Sequence, residues 1–441
     1  MKFIGKYTAD RIIEIFAKHI SSAKVNLFKE VGFDLIIGRR EGIWIEDVQT
    51  GRRIINCHSN GGVFNLGHRN QKIVSVLKEA LDELDIGNHH LISEARARLA
   101  EFFVSLAPRS LDKVLFFSGG GEAVDFAIKL ARGYTRKRKI ISAYGGYHGH
   151  TGLALAAGDI KYKKYFLPLA PGFIQVPFGD LEYLSKTIDN DTAAVIFETI
   201  PATYGIYIPP KDFFKKVKSL CEKYGALLII DEIQTGLGRT GKLWGIQNFD
   251  VVPDIMVVGK GLSGGIYPMA AACFKSKYES VFKKEPFLHV STFGGSELGC
   301  IVALEVLKIS SSTEFLENVN YIAKIFADGF NQLKNDFSNY ITEIRQLGLM
   351  MGVKFKNELW GPLMSKACFD EGLLCVYSNN DKSVLQVLPP LILQEDQARE
   401  IILRLRKAIE RASDRRYQLK VISSFVKAQM KNQIDYFKSL F

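Results

Sequence analysis

Through the middle of the chain, short unbroken apolar runs alternate with stretches in which apolar positions recur at helical spacing. The runs "KVLFF" (113–117), "KIISAY" (139–144), "AAVIFE" (193–198), "ALLIID" (226–231) and "DIMVVG" (254–259) lack in-and-out alternation, so each predicts a strand buried on both faces. Between them, "EAVDFAIKLARGYT" and "PKDFFKKVKSLCEKYG" have the period of helices with one apolar face. Strands and helices in this alternation predict an α/β fold, a parallel sheet clothed by helices. The two ends of the chain have a different texture. "GIWIEDVQTGRRIIN" reads as a hairpin, and residues 1–62 and 301–441 are expected to form a smaller domain beside a larger one spanning 63–300. The last stretch places Val421, Ile422, Phe425, Val426, Met430, Ile434 and Phe437 at helical spacing, a stripe expected to dock on the body or on a partner subunit rather than on a membrane.

Composition narrows the class. The 441 residues are 47% hydrophobic and 24% charged, enough apolar material for more than one core in a globular chain. Lysine and arginine exceed aspartate and glutamate by 58 − 47 = 11, which raises the question of nucleic acid. The densest basic stretches, "YTRKRK" and "RLRKAIERASDRR", lack interleaved aromatics, so a solvated face is the better reading and no nucleic-acid partner is expected. Six cysteines, Cys57, Cys221, Cys273, Cys300, Cys368 and Cys375, are irregularly spaced without C-x-x-C, which predicts reduced core thiols and no metal site. The first residues break their apolar positions with charges, and no apolar run is long enough to span a bilayer, so a cytoplasmic protein is expected.

In open parallel sheets, ligands gather at the carboxyl ends of strands. After the first run comes "SGGGEA", after the second "GGYHGH", after the fourth "DEIQTG", and after the fifth Lys260. Glycines opening a helix leave backbone N–H groups free to close on an anion, so Gly120 and Gly121 propose a phosphate seat. Two nucleotide motifs fail. The dinucleotide pattern needs a third glycine where Val124 stands, and "GLGRTGKL" has Leu243 in place of the hydroxyl residue that a magnesium nucleotide requires. One phosphate seat, one aromatic, one acid and one lysine instead suit pyridoxal 5′-phosphate. Asp231 and Lys260, separated by 260 − 231 = 29 residues, are expected at nearby strand ends across one helix-and-strand crossover, with the glycines after Lys260 leaving room for the cofactor.

At these residues the sequence resembles the class III aminotransferases, pyridoxal-phosphate enzymes of fold type I. The resemblance runs from "GIWIEDVQTGRRIINCHSNGGVFNLGHRN" to "VLPPLIL" and includes "SGGGEAVDFAIKLAR", "YHG", "DEIQTGLGRTG" and "STFGGSELGCIVALEVL". It implies a large domain with a mostly parallel seven-stranded sheet and a smaller α+β domain built from both chain ends. It further implies Lys260 as the Schiff-base lysine, Asp231 as partner of the ring nitrogen, and Gln234 as donor to the ring hydroxyl. Tyr147 would stack on the ring, His148 would stand beside it, the backbone at Gly120 and Gly121 would take the phosphate, and Glu198 would support the site. Thr292 would reach the phosphate of the other subunit, which implies a homodimer with shared sites.

The chain departs from the family pattern where a substrate carboxylate is often bound. Gln386 replaces an arginine ahead of the double proline, Thr203 replaces the glutamate that pairs with it, and His150 follows Y-H-G in place of an arginine. Loss of both halves of an ion pair avoids an unpartnered buried charge. The expectation is a transaminase whose substrate lacks a conventionally placed α-carboxylate, such as an ω-amine, or one in which another cation, Arg345 or a partner's residue, takes over. The alternative is aminomutase, epimerase or decarboxylase chemistry on the same cofactor.

Overall fold

The computed structural model describes residues 3–438, with side chains to Asp435, so Phe437 of the terminal stripe lies outside the described side chains. The five apolar runs become strands of one seven-stranded sheet. Numbered along the chain they are β1 (Lys113–Phe117), β2 (Lys139–Ala143), β3 (Phe173–Val176), β4 (Thr192–Glu198), β5 (Leu227–Asp231), β6 (Ile255–Val258) and β7 (Ala270–Phe274). Their spatial order is β1-β7-β6-β5-β4-β2-β3, parallel except for β7, which runs antiparallel to both neighbours. β3 and β7 are additions to the five runs. "FIQV" is a short edge strand, and "AAACF" is alanine-rich because helix Gly120–Thr135 packs closely over it.

Alternate residues of the central strands feed two cores. Leu228, Ile230, Met256 and Val258 face Phe213, Phe214 and Trp244, whereas Ile196, Ile229 and Val257 face Ala123, Phe126, Ala127 and Leu130 of helix Gly120–Thr135. Each fully buried large apolar side chain contributes about 1.5–3 kcal/mol, so burial on both faces makes this sheet a rigid platform for its strand ends.

The chain ends form the smaller α+β part. The predicted hairpin is Trp44–Asp47 paired with Arg53–Asn56, extended by Ile37–Glu41 on one side and Leu373–Leu374 on the other. A second sheet, Ile341–Leu347, Met350–Phe355, Val384–Val387 and Val376–Tyr377, shares a core with helices Thr313–Asp336, Trp360–Asp370 and Glu395–Ser413. That core joins Ile43, Ile55 and Cys57 to residues from Val319 to Val421. All six cysteines are free and buried, in keeping with reduced core thiols. No helix among the described residues is long and apolar enough to cross a membrane.

The terminal helix Arg415–Lys438 docks on helix Ser22–Val31, with Asn26 Nδ2 donating to Asn432 Oδ1 and Asp435 Oδ2, both at 3.1 Å. Only part of the expected stripe is used. Val421 is buried, whereas Val426, Met430 and Ile434 are exposed, because polar bonds from Asn432 and an ion pair between Lys431 and Glu30 orient the distal half.

Candidate active site

Strand register brings the chemistry together. Glu198 pairs with Asp231 across β4 and β5, and Lys260 follows the end of the adjacent β6. Lys260 Nζ donates to Gln234 Oε1 at 2.7 Å. Its backbone is left-handed, φ +44°, uncommon for a residue with a side chain, and it turns the chain from β6 into a 3-10 turn over Lys260–Ser263. Burial holds its ammonium below the ordinary lysine range, against the opposing charges of Glu198 and Asp231.

Asp231 is fixed at both oxygens. Oδ2 lies 2.8 Å from Nδ1 of the buried His148, and Oδ1 accepts from the Ile233 N–H at 3.0 Å. Burial pulls the imidazole down, but its hydrogen bond to Asp231 and the charges of Asp231 and Glu198 outweigh this and raise it. His148 Nε2 is buried with no partner among the described residues. Glu198 accepts from the Tyr147 N–H at 2.9 Å, and its carboxyl is pushed up to about 7, chiefly by burial, with His148 opposing and Asp231 adding. The Tyr147 ring meets His150 and Tyr162 edge-on, with centroids 5.4 and 5.3 Å away.

Gly120 and Gly121 open helix Gly120–Thr135, whose first turn has no side-chain cap. A Cβ at Gly120 would stand 2.8 Å from Ile233 Cδ1, and one at Gly121 2.8 Å from Thr151 Oγ1, so glycine is what lets the helix start sit against the strand ends. Uncapped N–H groups and the helix dipole then face a cleft of about 150 Å³ lined by both glycines, Tyr147, His148, Glu198, Asp231, Gln234 and Lys260.

Two expectations about the loops need correction. Between Asp231 and Lys260 there is no α-helix, only a 3-10 turn over Gly245–Phe249. Buried Glu232 takes its place as organiser, accepting from Thr199 Oγ1, Thr235 Oγ1 and the N–H groups of Gly245 and Ile246 at 2.6–2.8 Å. The glycines after Lys260 admit protein rather than ligand. A Cβ at Gly261 would lie 3.0 Å from Gly62 O, and one at Gly265 only 2.6 Å from Phe64 Cδ1. The neighbouring segment is itself a site element that sequence reasoning missed. A Cβ at Gly61 would lie 3.2 Å from Lys260 Nζ, and His58 is pulled down to about 4 by burial and by the Lys260 charge. Its signal was "HSNGG" directly after a strand, a polar turn at a strand end.

A sequence profile of the class III aminotransferases matches residues 28–409. The chain belongs to the class III aminotransferases. It is 55% identical over 422 residues to an uncharacterized aminotransferase of Archaeoglobus fulgidus, covering 96% of this chain and 99% of that one. Among solved structures it resembles a transaminase from the marine bacterium Virgibacillus (26% identity, 91% of this chain and 99% of that one, TM-score 0.85). It also resembles an (S)-enantioselective omega-transaminase from Thermomicrobium roseum (27% identity, 93% and 100% covered, TM-score 0.84). As a class III aminotransferase the protein is a transaminase acting on amine and keto substrates, and the family implies pyridoxal 5′-phosphate. The donor set fits that group: an uncapped glycine cradle for phosphate, a carboxylate fixed beside a histidine, an aromatic ring and one half-buried primary amine.

The transaminase pattern also frames the residues lying outside the cleft lining. Gln386 is 5% exposed and donates through Nε2 to Ala202 O and Ser378 Oγ, both at 3.1 Å. Thr203 Oγ1 donates to Gly145 O at 2.9 Å. Both polar groups are therefore spent on neutral partners. Arg345 is committed as well, donating to Gly205 O at 2.7 Å and pairing with Glu343 at 2.8 Å. Arg239, in the "GLGRTGKL" loop, is fully buried against Leu349 O, Pro389 O and Asn65 Oδ1, so that loop braces the two parts of the molecule. Thr292 is exposed, in a stretch where Phe287, Leu288, Val290 and Phe293 are exposed too.

Proposed function

We propose that this transaminase serves a substrate without a conventionally placed α-carboxylate: an ω-amine, an amino ketone or a neutral amino compound. The observation that carries the reading is the neutral network at Gln386 and Thr203, where the common arginine–glutamate pair would stand. Arg345, the candidate replacement cation, is already neutralised by its own carboxylate. The resemblance to an omega-transaminase points the same way.

In this reading the chain's residues divide the work as follows. Lys260 anchors pyridoxal phosphate and then moves the proton at the substrate carbon, a role suited to an amine whose charged form burial disfavours. Bound pyridoxal phosphate supplies the electron sink for the pair that proton leaves behind. Asp231, braced by His148 and the Ile233 N–H, keeps the pyridine nitrogen protonated. Gln234 accepts from Lys260 through Oε1, and its amide nitrogen serves the ring hydroxyl. Tyr147 covers the ring, Gly120 and Gly121 hold the phosphate through backbone N–H groups, and Glu198 fixes the Tyr147 backbone. His150, edge-on to Tyr147, borders the substrate. Thr292 reaches the site of a second copy in a cytoplasmic homodimer, a reading supported by its exposure within an apolar stretch.

Absorption spectra of the purified enzyme before and after addition of a panel of amines test this. ω-Amines alone should convert the cofactor to its amino form with loss of the visible band. Conversion confined to α-amino acids such as glutamate would sink the substrate assignment, and no conversion by any amine would favour chemistry that returns the amine to the same molecule.

A further inference from the structure

A second cavity, larger than the Lys260 cleft, shares no residue with it. It measures about 530 Å³ and lies between the end of helix Ser22–Val31, helix Trp360–Asp370 and the start of helix Arg415–Lys438. One wall, containing Arg411, Tyr417 and Lys420, lies beyond the region that matches the aminotransferase family. A volume in this range suits a small organic ligand.

Its lining is cationic. Lys29, Arg52, Lys366, Arg411 and Lys420 face two carboxylates, Glu30 and Asp370. Neighbouring groups neutralise part of the set: Lys366 pairs with Asp370, Arg411 with Glu371 at 2.5 Å, and Glu30 is itself paired with Lys431 at 3.4 Å. Arg52 has a 4.0 Å approach to exposed Asp34 as its one carboxylate contact among the described residues, while its guanidinium packs on the Phe369 ring at 4.8 Å and donates through one nitrogen to Phe369 O at 2.5 Å and Asp370 O at 3.4 Å. Lys29 and Lys420, both exposed at the mouth, have no carboxylate within ion-pair distance among the described residues. Three cations around one cavity are thus left without a close, buried counter-charge. The helix end comes near because Gly32 is left-handed, φ +76°, and a Cβ there would lie 3.4 Å from Lys366 Nζ. Tyr417 is held by its hydroxyl on Asp370 at 2.7 Å and adds one aromatic ring to the wall.

We propose that this cavity is a binding site for a phosphorylated small molecule, held by Lys29, Arg52 and Lys420 and separate from the transamination site. Phosphate groups satisfy several ammonium and guanidinium donors at once. A concave site of this limited size favours a small molecule over a nucleic-acid backbone, which would need an extended basic track.

The test uses the full-length holoenzyme, whose cofactor already occupies the catalytic phosphate seat, titrated calorimetrically with inorganic pyrophosphate and with ATP. The variants are the double substitution Lys29→Gln/Lys420→Gln and a control of equal charge change on a distant exposed helix face, Lys72→Gln/Lys78→Gln. The wild type should bind at least one probe saturably. Affinity should fall at least about tenfold in the first variant, stay within about twofold in the control, and weaken with added salt. Turnover without ligand should be unchanged in both. Tighter binding of ATP than of pyrophosphate would assign a nucleotide, and equal binding would assign the phosphate groups alone. Absence of saturable binding, or an equal effect of the two variants, would overturn the proposal, and neither result bears on the substrate reading at Gln386.

Discussion

Restoring the arginine at position 386 tests whether the neutral network governs substrate choice. In Gln386→Arg the hydrogen bonds that the side-chain amide Nε2 donates to Ala202 O and Ser378 Oγ are lost, each worth about 0.5–1.5 kcal/mol. A guanidinium then enters a site that is 5% exposed, next to a threonine whose hydroxyl is bound to a backbone carbonyl. An unpaired buried charge costs about 3–5 kcal/mol, and that term dominates the expected loss. Adding Thr203→Glu supplies the missing partner, so the double variant should recover at least about 2 kcal/mol relative to the sum of the singles. The assay is a double-mutant cycle from urea unfolding at neutral pH, with transamination rates on glutamate and on an ω-amine measured for the same four proteins. The double variant should gain glutamate activity. A Gln386→Arg protein as stable as wild type, or a cycle with no coupling, would show that the pocket accepts a cation without help and would refute the reasoning.

Two further outcomes follow from the geometry. Lys260→Ala should lower turnover by at least about 10³-fold while leaving some cofactor bound through the glycine cradle, as read by steady-state rates and cofactor content; undiminished turnover would remove Lys260 from the mechanism. At the amino end of β6, Asp254 is buried, a burden outweighed by hydrogen bonds from the Leu228 N–H, Lys218 and Lys275 that bring its carboxyl from 3.8 down to about 2. That depression contributes ~2 kcal/mol, present above the unfolded value and lost as pH falls through the folded one. Asp254→Asn should therefore cost ~2 kcal/mol at neutral pH and progressively less between about pH 4 and pH 2, and an equal cost at both ends would contradict the assignment.

Much of this protein was legible before any coordinates. Five of the seven sheet strands follow from apolar runs such as "AAVIFE" and "ALLIID", because burial on both faces leaves a signature in consecutive residues. The residues that line the Lys260 cleft were legible too, since ligands of a parallel sheet collect just past its strands and the residue types there carry recognisable chemistry. β7 was hidden because its alanines answer to a helix packed above them, a demand set by another segment. The same holds for the glycines after Lys260, which are shaped by Phe64 and Gly62, and for the loop from His58 to Gly61 beside the lysine amine. Sequence by itself determined which groups could do chemistry and the layered class that would carry them, because periodicity and residue type are local properties. Only the tertiary structure decided that Gln386, Thr203 and Arg345 are spent on neutral or already paired partners, and that cations from four separate helices and the turn of a hairpin surround a second cavity. Those facts depend on distances between segments far apart in the chain, and such distances exist only once the chain has folded.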